Sequence, residues 1–371
     1  MPELAAHVLF ALGSLVLILI AAELFTNAVE WLGLKLKLAE GAVGSVLAAV
    51  GTALPETVIP MVAIIVDAAR HELFSPVGRS QSVGLGAIVG APFMLGTLAF
   101  FVVGLTYFIS LRAHSRPSPF DVDGTVIRHD IEFFLIAFSL GVGAGLLRYY
   151  WPAMPHSLNW ILAFSLIAVY LVYLRRVFAG GKTAEAADLG PLHFGRPLPW
   201  VDERNPRKRL ILLQFAGAIA LMFLGARVFV EHLGPLALAL GVHPLILALL
   251  IVPIATELPE KFNSVLWVSR GKDTLAMGNI SGAMVFQSTF PVSLGLVFLS
   301  WSFAPLSPAL LSAIFGLIGA LVVYVGLRRT NEVNPYALLI GGALYLGYLA
   351  LIALHLMGVI TLAVGPSAVA H

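Results

Sequence analysis

The sequence contains no cysteine, which removes disulfides, thiolate metal sites and cysteine nucleophiles together and leaves the compartment unmarked by this residue. Charge is scarce as well: Asp, Glu, Lys and Arg make up 11% of 371 residues, where soluble domains carry about 25%. Hydrophobic residues reach 59% and the mean hydropathy is +0.94. A water-soluble globular chain is thereby excluded, and the protein is read as integral to a lipid bilayer. The formal charge is only +2, and basic residues sit in short clusters between apolar runs, so no nucleic-acid partner is indicated. No Lys or Arg precedes the first apolar run and no small-residue cleavage site follows it, so that run reads as a retained transmembrane helix, not a cleaved signal.

What the chain does have is apolar runs. About 20 such residues span a bilayer, and windows of that size give ten spans, at 5–30, 41–67, 81–110, 131–149, 157–175, 210–231, 244–268, 274–300, 307–327 and 336–360. The longest polar stretch, near 176–209, reads as a linker between two halves of five helices. The expected organisation is therefore 1–177, a linker at 178–209, and 210–371. Basic residues remain in the cytoplasm. With ten spans and an external N-terminus, most of the chain's Lys and Arg, including Lys35, Arg112, Arg128, Arg175, Arg207, Arg270 and Arg328, fall on the inside. Both termini are expected outside, the linker cytoplasmic, and the membrane a plasma (inner) membrane.

The halves repeat. Val50-Gly-Thr-Ala-Leu-Pro-Glu56 aligns with Ile254-Ala-Thr-Glu-Leu-Pro-Glu260, and Gly86-Ala-Ile-Val-Gly-Ala91 aligns with Gly278-Asn-Ile-Ser-Gly-Ala283. An odd number of helices per half means that the copies enter the membrane from opposite sides, the inverted-topology repeat of secondary transporters. Pro55 and Pro259 lack the N–H that would bond one turn back, so carbonyls near Thr52 and Thr256 are freed at mid-membrane, where they must line a cavity or bind something. Beside each break stands a carboxylate, Glu56 or Glu260, whose insertion costs about 2.5 to 3.5 kcal/mol. Ca2+ takes 6 to 8 oxygens. Two carboxylates, the freed carbonyls, Thr52, Thr256 and water could supply them, while two Na+ or two protons would balance the same pair.

These motifs resemble those of the Ca2+/cation antiporter superfamily, which includes the Na+/Ca2+ exchangers and carries two alpha-repeats with Gly-Thr-Ser-x-Pro-Glu in one helix and Gly-Asn-x-x-Gly-Ser-Asn in the next. The alpha-repeats would lie at about 41–110 and 244–300. The resemblance implies an all-α membrane fold of two inverted five-helix repeats with broken helices at the midplane. It also implies that Glu56 and Glu260 are the central Ca2+ ligands, with oxygens from Thr52 and Thr256. Asn279 keeps the family's Asn. The expected activity is exchange of Ca2+ for Na+ by alternating access, the first and sixth helices moving against the other eight. Beyond the transported ions no cofactor is implied, the partners are inorganic cations and lipid, and a monomer is compatible with the sequence.

The departures bear on the coupling ion. The family's Ser is Ala53 in one repeat and Glu257 in the other, and its Ser-Asn pair is Ala91-Pro92 and Ala283-Met284. Gln287, Ser288, Thr289 and Thr97 could replace the missing oxygens or could bond a carbonyl one turn back. Glu257 lies three residues before Glu260 and four before Lys261, so it reads either as a third cation or proton ligand or as half of a Glu–Lys pair. Glu23, Asn27, Arg227 and Glu231 fall in the flanking first and sixth helices, with Arg227 and Glu231 readable as snorkelling residues. Asn263 reads as a rim residue, and Asp130, Glu132 and Arg148 as interfacial. The histidines show no zinc-binding spacing. Ca2+/H+ exchange, a passive cation channel and a transport-inactive relative remain open. An enzyme is disfavoured by the absence of a paired-acid metal motif, a nucleophile with its base, or a phosphate-cradling loop.

Overall fold

A chain this apolar must satisfy its backbone polar groups internally, which inside lipid leaves helices or closed barrels. The computed structural model describes residues 2–35, 54–69, 79–114, 119–179, 191–195 and 206–363, and among these the regular structure is entirely helical. The helices are α1 (Pro2–Lys35), α2 (Leu54–Ala69), α3 (Arg79–Met94, continued by a π-helical turn at Leu95–Ala99 and by Phe100–Arg112), α4 (Gly124–Tyr150) and α5 (His156–Ala179). They continue as α6 (Lys208–Ala239), α7 in two pieces, α7a (Pro244–Thr256) and α7b (Leu258–Ser269), α8 (Asp273–Phe298), α9 (Pro308–Thr330) and α10 (Pro335–Leu356). Eight of them are long and apolar enough to cross a bilayer unbroken. The chain is a multi-pass membrane protein.

Local chemistry sets several helix starts. His243, Ser307 and Asn334 each precede a proline and accept a backbone N–H from the first turn, from Leu245 at 3.2 Å, Leu310 at 3.2 Å and Tyr336 at 2.9 Å. Proline at the first helical position has no N–H to leave orphaned, and a polar cap satisfies one that remains. Burial of the half-exposed His243 holds its imidazole below the usual histidine range, which keeps the capping lone pair available. Asp123 caps α4 in the same way, accepting from Thr125 N at 3.1 Å. That cap starts α4 seven residues before the expected 131, so Asp130 lies two turns inside the helix and not at its end.

The inversion can be read from the packing. The first part of α3 lies on α7a, and its last part, Phe100–Arg112, lies on α7b, so α3 and α7 run parallel. Consecutive α2 and α3 pack as a hairpin. Hence α2 and α7, which carry the matched motifs, run in opposite directions. Exchange of halves also preserves the neighbours: α8 packs on α4 and α5, α3 packs on α9 and α10, and α1 packs on α6. One core joins α3, α4, α5, α8 and α9 around Phe134, Phe138, Met284 and Phe303, and a second joins α1 and α6 to α2 around Ile18, Ile59 and Phe229.

The α1–α6 pair is tied by buried amides. Gln214 Nε2 donates to Leu24 O at 2.8 Å and to Asn27 Oδ1 at 2.9 Å. From the linker, His193 N donates to Asn27 Oδ1 at 3.2 Å and Phe194 N to Gln214 Oε1 at 2.8 Å, so this short piece of linker sits on the helix pair.

Candidate cation site

Thr52 lies outside the described residues. The remaining candidates gather where α2 and α7 meet, with α3 and α8 packed behind them and α6 beside. Glu260 occupies the first turn of α7b, which starts at Leu258 after the break, and Glu56 is the third described residue of α2. Helix N-termini carry positive partial charge and orphan N–H groups, which favour a carboxylate at the Glu260 position. Glu56 is 2% exposed and Glu260 0%. They lie within electrostatic range of each other, and Glu257 is close enough to act on Glu56.

Neither oxygen of Glu56 makes a well-formed hydrogen bond with a described residue. The Thr256 hydroxyl stands beside it but donates to Val252 O at 3.0 Å, which leaves the lone pairs of the Thr256 oxygen unused by that bond. A buried acceptor with no donor is costly, about 1–3 kcal/mol and more for a charged group, a cost that a cation or a proton would relieve.

The break in α7 falls at Glu257, between Thr256 and Leu258. Pro259 offers no N–H to the carbonyl of Ala255, one turn back. Glu257 is 0% exposed and forms a 2.6 Å ion pair with Lys261 Nζ, so the paired reading of this residue holds, with Oε1 left without a described partner. Asn279 is half-buried on α8, two turns before Gln287, and its Nδ2 has no described partner. Asn263 is half-buried on α7b.

The substitute ligands separate clearly. Thr97, Ser288 and Thr289 turn their hydroxyls back onto their own helices, to Phe93 O at 2.6 Å, Val285 O at 3.0 Å and Val285 O at 2.8 Å. Gln287 does not: it is 1% exposed and neither amide atom finds a described partner. Its amide is therefore free to serve as a neutral oxygen donor on the helix packed behind α2 and α7. We expect Gln287→Leu to raise the melting temperature, because it removes an unsatisfied group worth about 1–3 kcal/mol. The same change should weaken cation binding about tenfold, measured by titration of the purified protein.

Two buried acids escaped the sequence reading. Asp130 is 4% exposed, not interfacial, and accepts from Ser281 Oγ at 2.6 Å across the α4–α8 contact. Asp67 is 1% exposed in α2. Only the Asp123 cap, which lengthens α4, signalled the first of these. Glu132, two residues further into α4 than Asp130, accepts from Tyr324 at 3.0 Å, while Arg148 donates to the carbonyl of Met154. Arg227 and Glu231 form an exposed pair at 3.1 Å, and Glu23 meets His193 at 3.2 Å.

The sequence profile of the sodium/calcium exchanger protein family matches residues 6–179 and 210–365. The chain belongs to the sodium/calcium exchanger family. Its similarity to individual exchangers is remote. It is 22% identical over 289 residues to the putative antiporter CaxA of Alkalimonas amylolytica, covering 78% of this chain and 80% of that one. Among solved structures, the H+/Ca2+ exchanger CAX superposes with a TM-score of 0.67 at 17% identity, over 94% of this chain and 82% of that one. The sodium-calcium exchanger NCX_Mj gives 0.55 at 19% identity, over 94% and 99%. These superpositions establish a shared all-helical exchanger fold. The sodium/calcium exchanger family consists of membrane transporters of Ca2+ and of Na+ or H+, not of enzymes.

Proposed function

We propose that this protein is a secondary transporter that exchanges Ca2+ for a monovalent cation, with Glu56 and Glu260 as the central ligands and the Thr256 oxygen beside them. The observation that carries the reading is that two buried carboxylates from oppositely directed repeats lie within electrostatic range of each other where α2 and α7 pack, one of them in the first turn after the break in α7. Gln287 on α8 supplies a further neutral oxygen. Thr52 and Asn279 are added by their motif positions.

An empty site with two uncompensated carboxylates is too costly to move through the membrane interior. Only the Ca2+-loaded and the monovalent-loaded forms reorient, which makes the exchange obligatory. The α1–α6 pair, packed chiefly on itself and bordering α2 and α7, is the part suited to slide against the remaining helices.

Of the two coupling ions, the proton fits the donors better. The family's Ser and Asn positions are taken here by Ala91, Ala283 and Met284, all at most 2% exposed, so the oxygens that would dress Na+ are few. A proton needs only a carboxylate. The distribution of Lys and Arg supports an orientation with both termini outside, and we read the membrane as a plasma membrane.

The test is 45Ca2+ uptake into proteoliposomes at clamped voltage under an outward H+ gradient, an outward Na+ gradient, or neither. Uptake driven by H+ alone is expected. Uptake driven by Na+ alone would reassign the coupling ion, and uptake that follows neither gradient would refute exchange.

A further inference from the structure

Lys261 is the one buried basic side chain among the described residues, 8% exposed. Its Nζ is held 2.6 Å from Glu257 Oε2, one helical turn away, and its backbone N–H donates to Glu257 O at 3.1 Å, so that turn is intact and the geometry fixed. The fold does not require this pair. At the matching positions of the first repeat stand Ala53 and Thr57, which carry no charge. Nor does the pair stand apart from the site: Glu257 acts electrostatically on Glu56, and on Tyr345 of α10 as well.

Counted together, Glu56, Glu257 and Glu260 are three negative charges and Lys261 is one positive charge that cannot leave. We propose that Lys261 is a built-in cation that holds the place of one transported monovalent ion and so fixes the exchange at one divalent cation for two monovalent charges. The inference rests on the reading of Glu56 and Glu260 as the cation site. Because the ammonium is covalently attached, it cancels Glu257 identically in both loaded forms. The site then presents a net charge of minus two, which one Ca2+ or two monovalent cations neutralise equally. Exchange is electroneutral.

The charge of the site sets the sign of the charge moved per cycle. Removing the ammonium in Lys261→Met leaves minus three, which draws in a third monovalent ion, so one positive charge per cycle moves with the monovalent ions. Removing the acid in Glu257→Gln leaves minus one, so one positive charge per cycle moves with Ca2+. The double variant Glu257→Gln/Lys261→Met returns the site to minus two.

The experiment is 45Ca2+ accumulation in proteoliposomes at a fixed coupling-ion gradient, with the membrane potential stepped by potassium and valinomycin. For the parent, the equilibrium accumulation ratio should stay constant within about twofold. For each single variant it should change about 50-fold per 100 mV, the effect of one net charge, in opposite directions, and the double variant should again be voltage-insensitive. A parent that exchanges but is itself voltage-driven would overturn the inference, as would single variants that keep the parent's response. If the single variants do not fold, the double variant decides: voltage-insensitive accumulation supports the built-in cation and voltage-driven accumulation overturns it. A parent with no gradient-driven Ca2+ uptake would remove the site reading itself, and this inference with it.

Discussion

Glu56→Gln is expected to bring Ca2+ exchange down to the level of protein-free vesicles while the protein folds normally, and Glu260→Gln to do the same. Both carboxylates are buried, 2% and 0% exposed, in a region where water cannot screen charge. Breaking a buried charge pair by removing one partner costs about 3–5 kcal/mol. The charge that loses its partner here is the bound cation's, and about 1.4 kcal/mol is tenfold in affinity, so binding should weaken by at least about 100-fold. Stability should move the other way or not at all. The Glu56 oxygens have no well-formed hydrogen bond to lose among the described residues, and glutamine has the same shape without the cost of a buried charge. A thermal-shift series with and without Ca2+ separates the two effects: the parent should be stabilised by the ion and the variant should not. A variant that keeps the parent's Ca2+-dependent stabilisation would exclude Glu56 as a ligand.

The ten spans were legible because length and apolarity are local quantities. Each expected span coincides with a described helix, although α2 is described only from Leu54. Legible too were the break in α7 and the pairing of Glu56 with Glu260, because proline and carboxylate are rare in mid-membrane and each was duplicated. The destinations of polar side chains were not legible. Whether Thr97 or Gln287 bonds its own helix is a matter of rotamer, and the two residues went opposite ways. Asp130 was misplaced because a cap seven residues upstream decides where α4 begins. Glu257 was seen to have two possible roles; the 2.6 Å contact with Lys261 establishes the pair, and Oε1 is left without a described partner.

The two motif glycines of α3 are packed directly against α7a. A Cβ on Gly86 would meet Ala248 Cβ at 2.7 Å and Leu245 O at 2.9 Å, and one on Gly90 would meet Pro253 Cγ at 2.7 Å and Leu249 O at 2.8 Å. Small residues let membrane helices approach backbone to backbone, and here they seat α7a, whose last residue is Thr256, against α3. Gly90→Leu should therefore force α7a away from α3. Overpacking of this kind costs about 1–3 kcal/mol, and because Leu249 O and Pro253 are fixed parts of a helix, the strain cannot be absorbed by one side chain. We expect a melting temperature several degrees lower, together with transport reduced more than stability alone would explain, since the displaced helix carries Thr256 and leads directly into Glu257 and Glu260. Gly143→Leu is the comparison. It lies on an exposed face of α4 with nothing within 4 Å among the described residues, and the helix gains about 1 kcal/mol from losing a glycine. Equal losses in the two variants would show that the α3–α7a contact does not position the site. A loss confined to Gly90→Leu would tie the register of the inverted repeats to the geometry in which Ca2+ is held.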